Sequence, residues 1–135
     1  AYLAIERARF GERIRAEIDL GPGAQDCATP PLIIQPLVEN ALRHGVLPKP
    51  EGGLVRLTAW CEDGHLLVEV HDDGVGMSAA QVRAITSAVE LESLSEGIGA
   101  RNSNQRLVQL YGPPYAMVVL SSPGEGTSIT LRIPQ

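Results

Sequence analysis

The sequence predicts an α/β fold, a two-layer sandwich in which one mixed sheet carries helices on one face. Two kinds of hydrophobic period lead to this reading. Apolar residues alternate with polar ones in several short runs, as strands require, and recur at three- and four-residue steps in longer runs, as amphipathic helices require. These runs interleave within 135 residues. That length suits one domain, which buries roughly two-thirds of the surface its unfolded chain exposes and folds without a disulfide or metal staple.

Taken in order, Tyr2 to Phe10 is rich in good helix formers and stops near Gly11. Ile14, Ala16 and Ile18 then alternate with Arg13, Arg15 and Glu17, a strand ended by Gly21-Pro22-Gly23. Pro30-Pro31 opens a second helix, since proline is tolerated in a first turn. Ile34, Leu37, Val38 and Ala41 form its buried face, and Gly45 is expected to end it. At about 100° per residue, Pro36, Asn40, Arg43 and His44 project to one side, with Glu39 farther round. Leu54 to Cys61 and His65 to Asp72 form a hairpin around Asp63-Gly64. A helix led by Ser78 runs to about Ala88, and Val89 to Glu96 has no clean period. Gly99 begins a further helix to Tyr111, stopped by Gly112-Pro113-Pro114. Ala116 to Ser121 and Thr127 to Ile133 make a final hairpin.

Composition narrows the function. Eleven Lys and Arg against sixteen Asp and Glu leave a net charge of −5. An acidic chain has no general attraction to a phosphate backbone, and 4% aromatic residues are too few for base-stacking platforms, which argues against nucleic acid. No apolar run reaches the about 18 to 20 residues that span a bilayer. Cys27 and Cys61 sit in unrelated contexts with no metal-ligand spacing, and are expected to be reduced, as suits a cytosolic setting. The chain opens inside a helix with no signal peptide, as a piece of a longer protein would.

Four local features carry chemistry together, although each alone also has a plain structural reading. Asn40, on the apolar helix, offers a neutral oxygen suited to a hard cation such as Mg²⁺, or is simply an exposed polar residue. Asp72-Asp73-Gly74-Val75-Gly76 follows a strand. It is either an ordinary turn or a carboxylate that accepts from an exocyclic amine, beside glycines that let the backbone close on a flat ring. Gly97-Ile98-Gly99 is a hinge or a helix N-terminus open to phosphates. Gly124-Glu125-Gly126-Thr127 is a plain hairpin or the last edge of a pocket.

In this order, the four resemble the N box and three glycine boxes of the Bergerat-fold nucleotide-binding superfamily, which includes histidine kinases, gyrase, Hsp90 and MutL. Within it, Gln35-Pro36-Leu37-Val38-Glu39-Asn40-Ala41-Leu42-Arg43-His44-Gly45 and the opening Tyr2 to Phe10 look like the LytS-type sensor histidine kinases. The resemblance runs from Tyr2 to Pro134. It implies residues 1–11 as the end of a helix from an upstream dimerisation module and residues 12–135 as the ATP-binding catalytic domain.

The resemblance also implies ATP and Mg²⁺ as cofactors, Asn40 as the Mg²⁺ ligand and Asp72 as the adenine reader. Gly74 and Gly76 would line the adenine pocket, Gly97 and Gly99 would admit the phosphates with Asn102 beside them, and Gly126 and Thr127 would close the base side. Arg43 and His44 stand where the superfamily often has a phosphate-facing residue, and Arg106 faces either the phosphates or a surface partner. The implied partners are a histidine-bearing dimerisation domain and a response regulator, with a cytoplasmic placement in a parent anchored in the plasma membrane. This fragment would then make no membrane contact and bind no nucleic acid.

The sequence departs from the family pattern in four places. Asp73 stands where Asn is common and adds negative charge near the pocket, and Ala100 replaces a usual Leu. No Phe lies between Met77 and Gly97, so the lid over ATP should be short. Pro36 sits one turn before Asn40, where hydrolytic members carry a water-activating Glu, and a proline accepts no proton. That favours phosphoryl transfer to a histidine outside the chain, since His65 and His71 fall on a strand. A self-sufficient ATPase clamp, an anti-sigma-like serine kinase and a non-catalytic nucleotide-binding module are the rival readings.

Overall fold

The computed structural model describes residues 14–29, 33–86 and 98–135. The expected helix over Tyr2–Phe10, the Pro30-Pro31 helix start, the segment Val89–Glu96 and Gly97 lie outside them. Among the described residues, five strands form one sheet: β1 (Ile14–Leu20), β2 (Gly53–Glu62), β3 (His65–Asp72), β4 (Val118–Ser121) and β5 (Thr127–Pro134), in the order β1-β2-β3-β5-β4. β1 pairs with β2 in parallel and every other pair is antiparallel, so the sheet is mixed, as the sequence predicts.

The period-two pattern decides which face is covered. Leu66, Val68, Val70 and Asp72 of β3 are buried and pair with the buried Ile133, Leu131, Ile129 and Thr127 of β5. Against this face pack Leu37 from helix α1 (Ile34–Asn40), Ile85 from α2 (Ala79–Thr86) and Leu107 from α3 (Ile98–Tyr111). The opposite face carries Arg56, His71 and Ser128 in one row, with Thr58, Glu69 and Thr130 in the next. The core residues Leu37, Leu107 and Ile133 are fully buried, each burial being worth about 1.5–3 kcal/mol.

Local signals explain the joints. Asp63 and Gly64 both take positive φ, 52° and 75°, which closes the β2–β3 hairpin with the twist that such turns need. Ser78 and Gln81 form a reciprocal cap on α2: the Gln81 N–H donates to Ser78 Oγ at 3.2 Å, and the Ser78 N–H donates to Gln81 Oε1 at 2.8 Å. No helix among the described residues is long and apolar enough to cross a membrane.

Two expectations are corrected. Gly45 does not end the N-box helix. After α1 the chain continues from Ala41 to Val46 as a wider, π-type turn, marked by Leu47 N–H donating to Leu42 O, five residues back, at 2.9 Å. Gly45 is bare for another reason: a Cβ there would lie 2.6 Å from Asp72 Oδ1. The cysteines are free, but their contexts are not unrelated, because their sulfurs lie 3.3 Å apart. A linear pattern hides both facts, since each depends on a segment distant in sequence.

Replacing Gly45 separates close packing from helix propensity. Alanine is favoured over glycine inside a helix by about 1 kcal/mol. Close packing predicts instead that Gly45→Ala lowers stability by about 2 kcal/mol in urea unfolding, through displacement of the Asp72 carboxylate. A stabilised variant would show that the glycine makes no such room.

Candidate functional site

The site grows from the end of β3. Strand alternation turns Asp72 toward the helices, where it is 2% exposed. Oδ1 accepts the Gly74 N–H at 2.9 Å. Among the described residues that is the carboxylate's one hydrogen bond, and Oδ2 takes none. Burial therefore dominates and raises the carboxyl from 3.8 to about 6; the Gly74 N–H opposes this, the Asp73 charge adds to it, and Lys49 opposes it.

Glycines make this burial possible. Gly45 lies against the carboxylate, and a side chain at Gly74 would strike the Gly45 backbone. A side chain at Gly126 would strike the Asp72 carbonyl. The following loop is tied to both neighbouring layers. Val75 N–H donates to Gly45 O of the π-type turn at 3.0 Å, and Gly124 N–H of the β4–β5 hairpin donates to Val75 O at 2.7 Å. Gly76 has φ +73° and packs on Ser122 O, where no Cβ fits.

Ser121 completes the tie, a role the sequence reading misses. Its Oγ donates to Gly126 O at 2.8 Å and accepts the Met77 N–H at 2.8 Å. The 2.8 Å contact with Thr127 Oγ1 must then take its proton from Thr127. Thr127, paired directly with Asp72 across β3 and β5, is left with only lone pairs to offer. The signal for Ser121 was a polar residue on the inward register of a terminal strand, opposite a predicted site residue.

A cavity of about 330 Å³ opens beside this loop. Asn40, Arg43 and His44 line one wall, and Val75, Gly76 and Met77 line another, with Gln81, Ala84 and Ile85 of α2 beyond. The predicted polar row of the N-box helix thus faces the cavity, although Pro36 is not on its wall. Pro48 and the α2 residues are wall members that motif reading does not find. Gly126 and Thr127 line a shallower depression of about 210 Å³ with His71 and Ser121. Asp72 and Gly74 are buried behind these surfaces.

The remaining candidates are placed less closely. Gly99 and Asn102 lie in the first turns of α3, and Asn102 is exposed. Arg106 is half-buried farther along that helix, and Gly97 lies outside the described residues. Asp73 turns away from Asp72: its Oδ1 accepts the Leu54 N–H at 2.7 Å, and its carbonyl accepts from Lys49 Nζ at 2.9 Å. Its added charge is felt by Asp72, yet its side chain fastens the start of β2 instead of lining the cavity.

Residues 28–135 match the family described as histidine kinase-, DNA gyrase B-, and HSP90-like ATPase. The chain belongs to this ATPase family. Among curated relatives it is 33% identical over 134 residues to the sensor histidine kinase BtsS of Escherichia coli (strain K12), covering 99% of the chain and 22% of BtsS. It is 31% identical over 135 residues to the sensor protein LytS of Bacillus anthracis, covering 100% of the chain and 23% of that protein. The chain therefore spans under a quarter of both relatives.

Among solved structures, the catalytic domain of the histidine kinase ThkA superposes with a TM-score of 0.68 at 14% identity, over 98% of this chain and 86% of that one. The histidine kinase domain of the Erythrobacter litoralis EL346 blue-light activated kinase gives 0.64 at 23%, over 98% and 56%. These likenesses show the fold, an α/β fold built on a mixed five-stranded sheet.

The buried carboxylate sets a pH dependence of stability. Its folded value of about 6 lies above the 3.8 of a free Asp, so between these values the folded state holds the proton more tightly. The stabilisation is complete below about pH 4 and is lost as pH rises through about 6, an effect of about 3 kcal/mol. Asp72→Asn lacks this titration. Its stability relative to the parent should therefore rise by about that amount from pH 4 to pH 7 in urea unfolding, whereas parallel curves would place Asp72 in contact with water.

Proposed function

We propose that this chain is the ATP-binding catalytic domain of a sensor histidine kinase, which presents the γ-phosphoryl group of ATP to a histidine on a separate dimerisation domain. The observation that carries the reading is the Asp72 carboxylate, whose Oδ2 meets no protein donor, just before the loop whose Val75, Gly76 and Met77 line the cavity. No protein group among the described residues donates to this oxygen, and the exocyclic amine of adenine supplies a donor. Thr127, whose hydroxyl donates to Ser121, offers a second acceptor on the neighbouring strand. Gly74 and Gly76 let a flat base approach the backbone, and Gly126 closes the hairpin behind Asp72.

The phosphates lie toward Asn40, Arg43 and His44 in this reading, with the start of α3 at Gly97, Gly99 and Asn102 on their other side. The described residues hold no group of three or more His, Cys, Asp or Glu able to bind a metal ion. One amide oxygen, that of Asn40, fits Mg²⁺ that arrives with nucleotide phosphates, which supply the further oxygens. Bound there, Mg²⁺ offsets the phosphate charge that a chain of net charge −5 otherwise repels. Arg43 and His44 orient the terminal phosphate toward the acceptor by charge and hydrogen bonding.

The chain's part is thus to bind and orient. Pro36 has no group that can activate water, which is in keeping with a domain that transfers phosphate in preference to hydrolysing it. The likeness to BtsS and LytS supports a response regulator as the downstream partner and a membrane-anchored parent with this domain on its cytoplasmic side.

Calorimetric titration with ATP and Mg²⁺ tests the reading. Binding is expected, with a loss of about 100-fold in Asp72→Ala and about 10-fold in Asn40→Ala, the latter confined to solutions containing Mg²⁺. The chain alone should neither label itself from γ-labelled ATP nor release phosphate. Absence of binding at millimolar ATP overturns the nucleotide reading, and steady phosphate release favours the ATPase clamp.

A further inference from the structure

Cys27 and Cys61 stand outside the cavity and have no part in the function proposed above. Cys27 follows the short 3₁₀ turn Ala24–Asp26 in the connection from β1 toward α1, and Cys61 lies near the end of β2. Separated by 34 positions, they bring their sulfurs to 3.3 Å, within thiol hydrogen-bond distance. Cys27 Sγ also donates to Gly23 O at 3.4 Å.

The approach is built into the connection, which is fixed to the sheet on both sides of Cys27. Before it, the Gly21 N–H donates to Ala59 O at 2.7 Å. After it, the Gln135 side chain clamps Ala28, accepting its N–H at 2.8 Å and donating to its carbonyl at 2.9 Å. Cys61 is exposed and Cys27 half-buried, so a small oxidant reaches Cys61 first. No group of three or more metal-ligating side chains occurs among the described residues, so nothing there claims the pair for a metal centre.

We propose that Cys27 and Cys61 form an oxidant-responsive dithiol site, which a peroxide closes into an intrachain disulfide tying the β1–α1 connection to β2. The Cys61 thiolate attacks one peroxide oxygen. The O–O bond breaks, and the departing oxygen takes up a proton and leaves as water, so that Cys61 carries a sulfenic acid. Cys27 then gives up its proton and attacks Cys61 Sγ. The S–O bond breaks, and the hydroxyl leaves with that proton as a second water. Two thiols and one peroxide thus become one disulfide and two waters. The sulfurs must close from 3.3 Å to about 2 Å for the bond to form. The hydrogen bond with Cys61, then burial, then the neighbouring charges of Cys61 and Asp26 hold the Cys27 thiol above its ordinary range, which fits it to enter second.

The site is remote from nucleotide chemistry along the strand. β2 begins at Gly53, whose neighbour is Asp73, and Cys61 is near its other end. Closing the disulfide should therefore stiffen the connection without reshaping the cavity.

The test treats the chain with hydrogen peroxide at about equimolar to tenfold ratio and reads intact mass, free thiols and thermal unfolding. The expected product is monomeric, about 2 Da lighter, restored by dithiothreitol, and raised in Tm by about 5 °C. In Cys27→Ser, which lacks the second sulfur, Cys61 should proceed to sulfinic acid, about 32 Da heavier. Two thiols that stay free, disulfide-linked dimers as the main product, or sulfinic acid on Cys61 of the parent chain would each overturn the proposal. ATP affinity measured on the oxidised chain keeps this result separate from the nucleotide reading.

Discussion

The organising constraint is the burial of one carboxylate with half of its hydrogen bonding left unmet. Asp72 receives a single N–H, from Gly74, at a position where a charged oxygen is costly. The cost is visible in its acidity, held near 6. Much of the surrounding architecture follows from keeping it there. Gly45 is bare so that the helix can pass over the carboxylate, and Gly74 is bare so that the loop can pass under Gly45. The π-type turn from Ala41 to Val46 carries the chain past this contact while Asn40, Arg43 and His44 keep facing the cavity. Wide turns of this kind occur often at functional sites, because they re-aim side chains without ending a helix.

The same constraint explains the polar contacts beyond the carboxylate. Ser121 joins the glycine loop to the last hairpin by using all of its hydrogen-bonding capacity on Met77, Gly126 and Thr127. Thr127 is thereby turned into an acceptor beside another acceptor. In the nucleotide reading proposed above, these two acceptors would favour an amine over a carbonyl at the same place.

Much of this was legible in the sequence, and what was not has physical reasons. The buried rows of β3 and β5 follow the period of two, which leaves one choice of face and puts Asp72 on the inward one. Helical spacing puts Pro36, Asn40, Arg43 and His44 in one row, of which all but Pro36 line the cavity. Gly45 was misread, because a glycine after a helical run serves equally as a stop or as a point of close approach, and only the position of Asp72, 27 residues on, distinguishes them. The charge that Asp73 adds near the pocket is felt at Asp72, whereas the tie of its side chain to Leu54, 19 residues earlier, is not written in the local sequence. Ser121 and the cysteine pair depend on contacts between distant segments that no local period encodes.

The most direct test of the acceptor pair compares ATP with inosine triphosphate, which differs at the base by a carbonyl oxygen in place of the exocyclic amine. Measured by calorimetry at pH 7.5 with Mg²⁺, where Asp72 is ionised, ATP should bind about 100-fold more tightly, because the carbonyl would face Asp72 and Thr127 with no proton to give. In Asp72→Ala the two nucleotides should bind to within a few-fold of each other. Equal affinity of the parent chain for both would contradict recognition through the buried carboxylate.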